Sequence, residues 1–209
     1  MTEWYRRTTW TAEDEVEFFN KLKRAHKYNR AQYLRVQALH LFETKDSKLL
    51  GVAESLACKI LTDYPDARFE TASTYALLGN IYSALNDNDK AILHYQKAIE
   101  TERKYPVVLT DAYLAYAEVV MKTWHVDLFT DIERILLEKE RIAIFPFQRY
   151  KTYIILAIIN KYKADNAATQ RFIALAKQNV EAKTSGFRYH KNLGLVKESD
   201  RWLETLLEE

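Results

Sequence analysis

Glycine and proline are scarce in this 209-residue sequence, which has four of one and three of the other. An antiparallel sandwich or barrel needs turn residues about every 8–12 positions, and so few cannot supply them. The chain is therefore read as helical. Cysteine is scarcer still: Cys58 stands alone, so no intramolecular disulfide and no thiolate zinc site can form. Glycines only at positions 51, 79, 186 and 194 leave no glycine-rich phosphate loop. A large excess of either charge is absent too. The 31 Lys and Arg stand against 29 Asp and Glu, a net +2, which excludes gripping nucleic acid or membrane by bulk charge. The most apolar stretch, 153–159, stops at Asn160, far short of the ~20 residues of a membrane span. No apolar signal core follows Arg6-Arg7. A soluble cytoplasmic protein without membrane association is expected.

What is present is hydrophobic and aromatic: 48% and 13% of the residues, enough for a substantial core. Thr11 and Asp14 have capping-box spacing and are followed by Val16, Phe19 and Leu22, which predicts a helix over 12–27. Asn29 is placed to cap a second helix carrying Tyr33, Val36 and His40. Further helices are predicted over 48–63, 67–85, 90–104, 107–123, 128–143, 147–162 and 164–184, with a last piece over 193–207. Polar breaks at 86–89 and 165–166 divide them into pairs. Pro65, Pro106 and Pro146 fall at the ends of second helices, 41 and 40 residues apart, a period that signals a solenoid.

Tyr75, Leu78-Gly79, Tyr82, Ala91, Tyr95 and Ala98 stand in an order and spacing that resembles a tetratricopeptide repeat. Gly79 and Ala91 would let two helices approach, with Tyr82 and Tyr95 filling the wedge beside them. Residues 31–65 resemble the repeat more loosely, with Val36-Gln37 in place of Leu-Gly. So do 110–146, through Tyr113 and Tyr116-Ala117, and 150–182, through Tyr153, Leu156-Ala157 and Phe172. Residues 193–204 look like the capping helix of such arrays. The resemblance implies an all-α superhelix of antiparallel helix pairs, a tetratricopeptide-like α-solenoid forming one domain over 1–209. Within it, 1–29 is an N-terminal arm and first helix, 30–184 holds four degenerate helix pairs, and 185–209 is the C-terminal cap.

Chemistry is thin. His125, Asp127 and Asp131 form the one cluster of ligand-type side chains, and Asp127 as a helix cap is the simpler reading. Cys58 is expected to be a buried packing thiol among Leu56, Ala57 and Ile60. No catalytic residue, metal or cofactor is assigned, and the chain is read as not an enzyme.

The resemblance also implies that first helices line a concave face where ligands bind. With Tyr75 as register, that face carries Ser73, Ala76, Asn80 and Ser83 in the clearest repeat, then Asp111, Leu114 and Glu118, then Lys151, Ile154, Ile158 and Lys161. The preceding unit contributes Ala31, Leu34, Ala38 and Leu41. The partner-binding candidates are Ser73, Asn80, Ser83, Asp111, Glu118, Lys151 and Lys161. Asn80 stands out because an amide donates and accepts at once. Trp4, Arg6, Arg7 and Trp10 are residue types that dominate binding hot spots, so the arm either folds back over the first helices or inserts into a partner. The implied function is a non-catalytic module that binds a protein or peptide on its concave face, in one version an immunity-type protein neutralising a toxin. The alternative is a helical-repeat RNA-binding protein. It rests on segment 147–191, where Arg149, Lys151, Lys161, Lys163, Arg171, Lys177, Lys183, Arg188 and Lys191 face only Asp165 and Glu181. The sequence sets no oligomeric state.

Overall fold

The structure, a computed structural model, describes residues 3–208; they are helical, with no strand among them. The helices are α1 (Ala12–Arg24), α2 (Arg30–Glu43), α3 (Ser47–Asp63), α4 (Arg68–Ala84), α5 (Asn88–Lys104), α6 (Ala112–Thr123), α7 (Phe129–Lys139), α8 (Pro146–Tyr162), α9 (Asn166–Val180) and α10 (Leu203–Glu208). The chain forms two compact units, Met1–Ala115 and Tyr116–Glu209, and passes from one to the other within α6. In the first unit α2 packs on α3 and α4 on α5; in the second α8 packs on α9. No described helix is long and apolar enough to cross a membrane.

One turn is repeated in every helix pair. Lys45, Asn86, Trp124 and Ala164 all have φ near +60°, and each sits between the two helices of a pair. Such a residue reverses the chain in a Schellman motif, where the next N–H reaches back to an orphan carbonyl of the finished helix. The Asp87 N–H donates to the Tyr82 carbonyl at 2.9 Å, that of His125 to Val120 at 3.2 Å and that of Asp165 to Asn160 at 3.0 Å. In the first pair the Thr44 hydroxyl takes over, accepting from Asp46 N at 3.2 Å. Three of the residues after the left-handed one are aspartates, and each caps the next helix. Asp46 accepts from Lys48 N at 2.8 Å, Asp87 from Lys90 N at 3.3 Å and Asp165 from Ala168 N at 2.9 Å. Only the third pair has a histidine there, His125, and it does not cap.

Gly79 fixes how closely α4 and α5 approach. A Cβ at this position would collide with the Tyr95 ring, so only glycine admits that buried ring. Ala91 and Ala98 opposite are wholly buried as well. Gly51 in α3 is different, because a Cβ there would meet nothing within 4 Å.

Several sequence expectations are corrected. The α6 helix starts at Ala112 rather than 107, because the Glu102 carboxylate accepts from Thr110 N at 2.9 Å and from its hydroxyl at 2.5 Å, which pins the approach to α6. The stretch 128–143 is not one helix: 3₁₀ turns over Val126–Leu128 and Glu140–Ile142 flank α7. Pro146 does not end a second helix but opens α8, where its missing N–H costs nothing. The span 193–207 is mostly irregular, with a 3₁₀ turn at Glu198–Asp200 before the short α10. Asn29 precedes α2 but makes no side-chain cap bond. Cys58 is exposed on α3, not buried.

Two substitutions test this account by denaturant unfolding. Gly79→Ala should lower stability by about 1–3 kcal/mol, since the Tyr95 ring must give way. Ala164→Gly should raise it by about 0.5–1 kcal/mol by relieving the left-handed backbone. Gly51→Ala, with room and a helical backbone, serves as the control that gains stability.

Candidate functional site

In Met1–Ala115 the inner register of α4 is small and half-buried: Ser73, Ala76, Asn80 and Ser83. The Asn80 carbonyl is already engaged, accepting from the Tyr95 hydroxyl at 2.8 Å, so its amide NH₂ is what it presents outward. On the other side of α4, Tyr82 donates to Glu54 of α3 at 2.6 Å. That bond, then burial, pushes the phenol well above its ordinary value. His94 of α5 stacks with Tyr82 at 5.1 Å and 10° and with Tyr75 at 6.0 Å and 28°. Its Nδ1 is buried without a partner. Desolvation first, then Lys97, lowers its pKa.

The equivalent face of α2 is closed. Ala31, Leu34, Ala38 and Leu41 are at most 1% exposed and belong to one core cluster with Phe18 and Leu22 of α1. They cannot line a groove, which corrects the sequence reading. The N-terminal arm lies on the same cluster. Trp4 packs on Phe18 and Tyr33, Tyr5 on Tyr33 and Trp10 on Phe18, with centroids 4.6–5.3 Å apart. Arg7 forms ion pairs with Asp14 and Glu17. Arg6 stays exposed, paired with Glu3 at 2.7 Å. The tie that holds the arm is Gln37. Its wholly buried amide accepts from Arg7 N at 3.0 Å and donates to Arg7 O at 2.8 Å, in the manner of a strand pair. Gln37 occupies in α2 the place that Gly79 has in α4, and in the sequence it stands out only as a missing glycine.

In Tyr116–Glu209 the inner register is occupied by the chain itself. Lys151 is bonded to Glu118 at 2.7 Å and to Asp200 at 3.4 Å. Burial disfavours its charge, but the two carboxylates outweigh this and hold the ammonium's pKa above its ordinary value. Lys161 donates to the Leu207 carbonyl at 2.7 Å. Tyr150 donates to Glu204 at 3.1 Å, and Lys122 lies over the Trp202 ring at 5.1 Å. Ile154 and Ile158 are nearly inaccessible and Leu203 completely so. Glu118 and Lys151 are therefore engaged with each other at low exposure, while Lys161 stays exposed and bonds the C-terminal segment. Asp111 lies exposed ahead of α6, its carbonyl accepting from Leu114 N at 3.0 Å.

The family model of the tetratricopeptide repeat matches residues 72–105, the α4–α5 hairpin with its Gly79–Tyr95 contact. The chain is a tetratricopeptide-like helical-repeat protein. A search of curated proteins and a search of solved structures each gave no match. Tetratricopeptide repeats are typically non-catalytic interaction domains.

The remaining candidates of this repeat protein do not assemble into a reactive centre. Asp131 pairs with Arg134 at 2.5 Å and accepts from Tyr116 at 3.3 Å. That leaves His125 and Asp127 3.8 Å apart on an exposed 3₁₀ turn, where Asp127 does not cap α7. No group of three potential metal ligands occurs among the described residues. The Cys58 thiol is pushed up, by desolvation first and Glu54 second, away from nucleophilic character. A cleft of about 730 Å³ beside α8 and α9 contains Tyr153 donating to Glu140 at 2.8 Å. Its Ser185 hydroxyl is spent on the His190 carbonyl at 2.7 Å. In the basic segment, Lys163 pairs with Glu133 at 2.6 Å, and Arg149 donates to the Ala143 carbonyl at 2.9 Å.

Two outcomes follow from this geometry. The unfolded His94 titrates near 6.5 and the folded one lower, so between these values the unfolded chain binds more protons and stability falls as pH drops below about 6.5. His94→Phe should flatten that pH dependence in melts between about pH 5 and 7. Gln37→Leu should cost about 1–3 kcal/mol by orphaning the Arg7 backbone, and should speed amide exchange at Arg7.

Proposed function

We propose that the protein is a non-catalytic interaction module that binds another protein or a peptide through the inner face of α4. The family match supports an interaction role. The carrying observation is selective: the inner register of α2 is buried in a core and that of α8 is covered from Lys151 to Ile158, while Ser73, Ala76, Asn80 and Ser83 stay partly accessible. Small polar side chains let a partner backbone come close, and the outward Asn80 NH₂ offers it a donor. Occlusion of a toxin by an immunity-type protein is one form of this binding, and it requires a single tight partner recovered at stoichiometric yield. The RNA reading finds less support, because Lys151 is half-buried in an ion pair while Lys161 and Lys163, though exposed, already bond a carbonyl and a carboxylate of the chain.

Affinity capture from the native host tests the proposal. Ser73→Arg together with Ser83→Arg should abolish recovery of the partner while leaving the thermal melt unchanged. Equal recovery by the double variant would remove α4 as the binding face. Binding to RNA that fell steeply with salt would favour the rival.

A further inference from the structure

Residues 198–208 lie along α8 as a bound peptide would. They present an apolar ridge, Trp202, Leu203, Leu206 and Leu207, beside the carboxylates of Asp200 and Glu204. The surface beneath offers the reverse: an apolar floor of Met121, Ile154 and Ile158, edged by Lys122, Lys151 and Lys161. Leu203 is sealed in this floor, Asp200 meets Lys151 and Glu204 meets Tyr150.

The fit is nevertheless incomplete. A cleft of about 570 Å³ opens on one side of α10, among Met121, Trp124, Ile158, Tyr162 and Leu206. Another of about 640 Å³ opens on the other side, among Ile154, Ile173, Ala176, Val180 and Leu207. Both are open to solvent along α10, so each has room for apolar side chains that the segment does not supply. The occupant is also weak by its own chemistry. At six residues α10 is far below the length at which a helix holds itself, and its tether is irregular and exposed at Phe187, Tyr189 and Leu193.

We propose that this α6–α8 face of Tyr116–Glu209 is a binding surface for an acidic amphipathic helix of a partner protein, and that residues 198–208 are a built-in occupant which that helix displaces. A longer helix keeps the carboxylate contacts to Lys151 and Tyr150 and adds larger apolar side chains to both clefts. The segment then sets a threshold, since a partner's apparent affinity is reduced by the fraction of time the face is open. This deepens the interaction reading but uses a different face from α4.

The test uses a fluorescent peptide with the sequence of residues 197–208 and the full chain. Leu203→Asp with Leu207→Asp should release the tethered segment, and the peptide should then bind at least about tenfold more tightly than to the unaltered chain. Adding Lys122→Glu and Lys161→Glu should cancel that gain. A folded released variant that binds the peptide no better than the unaltered chain would overturn the proposal. Hydrogen exchange on the unaltered chain gives an answer that needs no variant. Amides of 203–208 should open at least about tenfold more often than those of 155–159, whereas equal protection marks a permanent cap and sinks the idea. Either failure leaves the α4 capture experiment untouched, because the two readouts use different faces and different variants.

Discussion

A helix can bury its apolar stripe against a sequence neighbour only if the chain reverses within a few residues, and every pair in this protein depends on how that reversal is made. A single residue in the left-handed region turns the backbone, and an aspartate immediately after it caps the next helix. The first residue satisfies the carbonyls of the finished helix and the second satisfies the amides of the new one, so both ends are paired in a very short span. None of the four turning residues is glycine. Each therefore holds about 1 kcal/mol of strain that packing of the pair must outweigh. The third turn shows the cost of departing from the rule. With His125 in the aspartate's place, a 3₁₀ turn intervenes and α7 begins at Phe129, after Leu128, without a side-chain cap.

The same structural place is put to three uses within the pairs. In α4 it is Gly79, and the Tyr95 ring enters the space. In α8 it is Ala157, wholly buried beneath α9 packing. In α2 it is Gln37, which is too long for a helix–helix contact and instead clasps the backbone of Arg7. A buried amide left unpaired would cost about 1–3 kcal/mol, so Gln37 makes sense only with the arm in place.

The helices and their pairing are legible in the sequence because the signals are local: apolar residues at helical spacing, prolines after α3 and α5, and the Tyr75–Ala98 pattern. What covers each inner face is not legible, because the covering residues come from far along the chain. Arg7 lies 30 residues from Gln37, and Glu204 lies 54 from Tyr150. Periodicity marks Leu34 and Ile158 as facing inward but cannot say whether a groove or a core awaits them. The start of α6 is hidden for a similar reason, since Glu102 removes Thr110 from helical use by a tertiary bond. Cys58 reads as buried because its neighbours Ala57 and Ile60 are, yet one helical step turns it to solvent.

Charge shows why placement matters more than totals. Counted along 147–191, the basic excess suggests a surface for polyanions. In the folded unit Lys151 is held between Glu118 and Asp200, Lys163 by Glu133 and Lys161 by a backbone carbonyl. Lys151 has two properties a free surface lysine lacks: its partners sit in defined positions, and removing one leaves a partly desolvated cation short of a counter-charge. Displacing the acidic C-terminal segment therefore carries a penalty unless the incoming chain brings carboxylates of its own. Under the displacement proposed above, that requirement would select partners by charge before any shape is compared, with specificity in Lys151 and affinity in the clefts that α10 leaves unfilled.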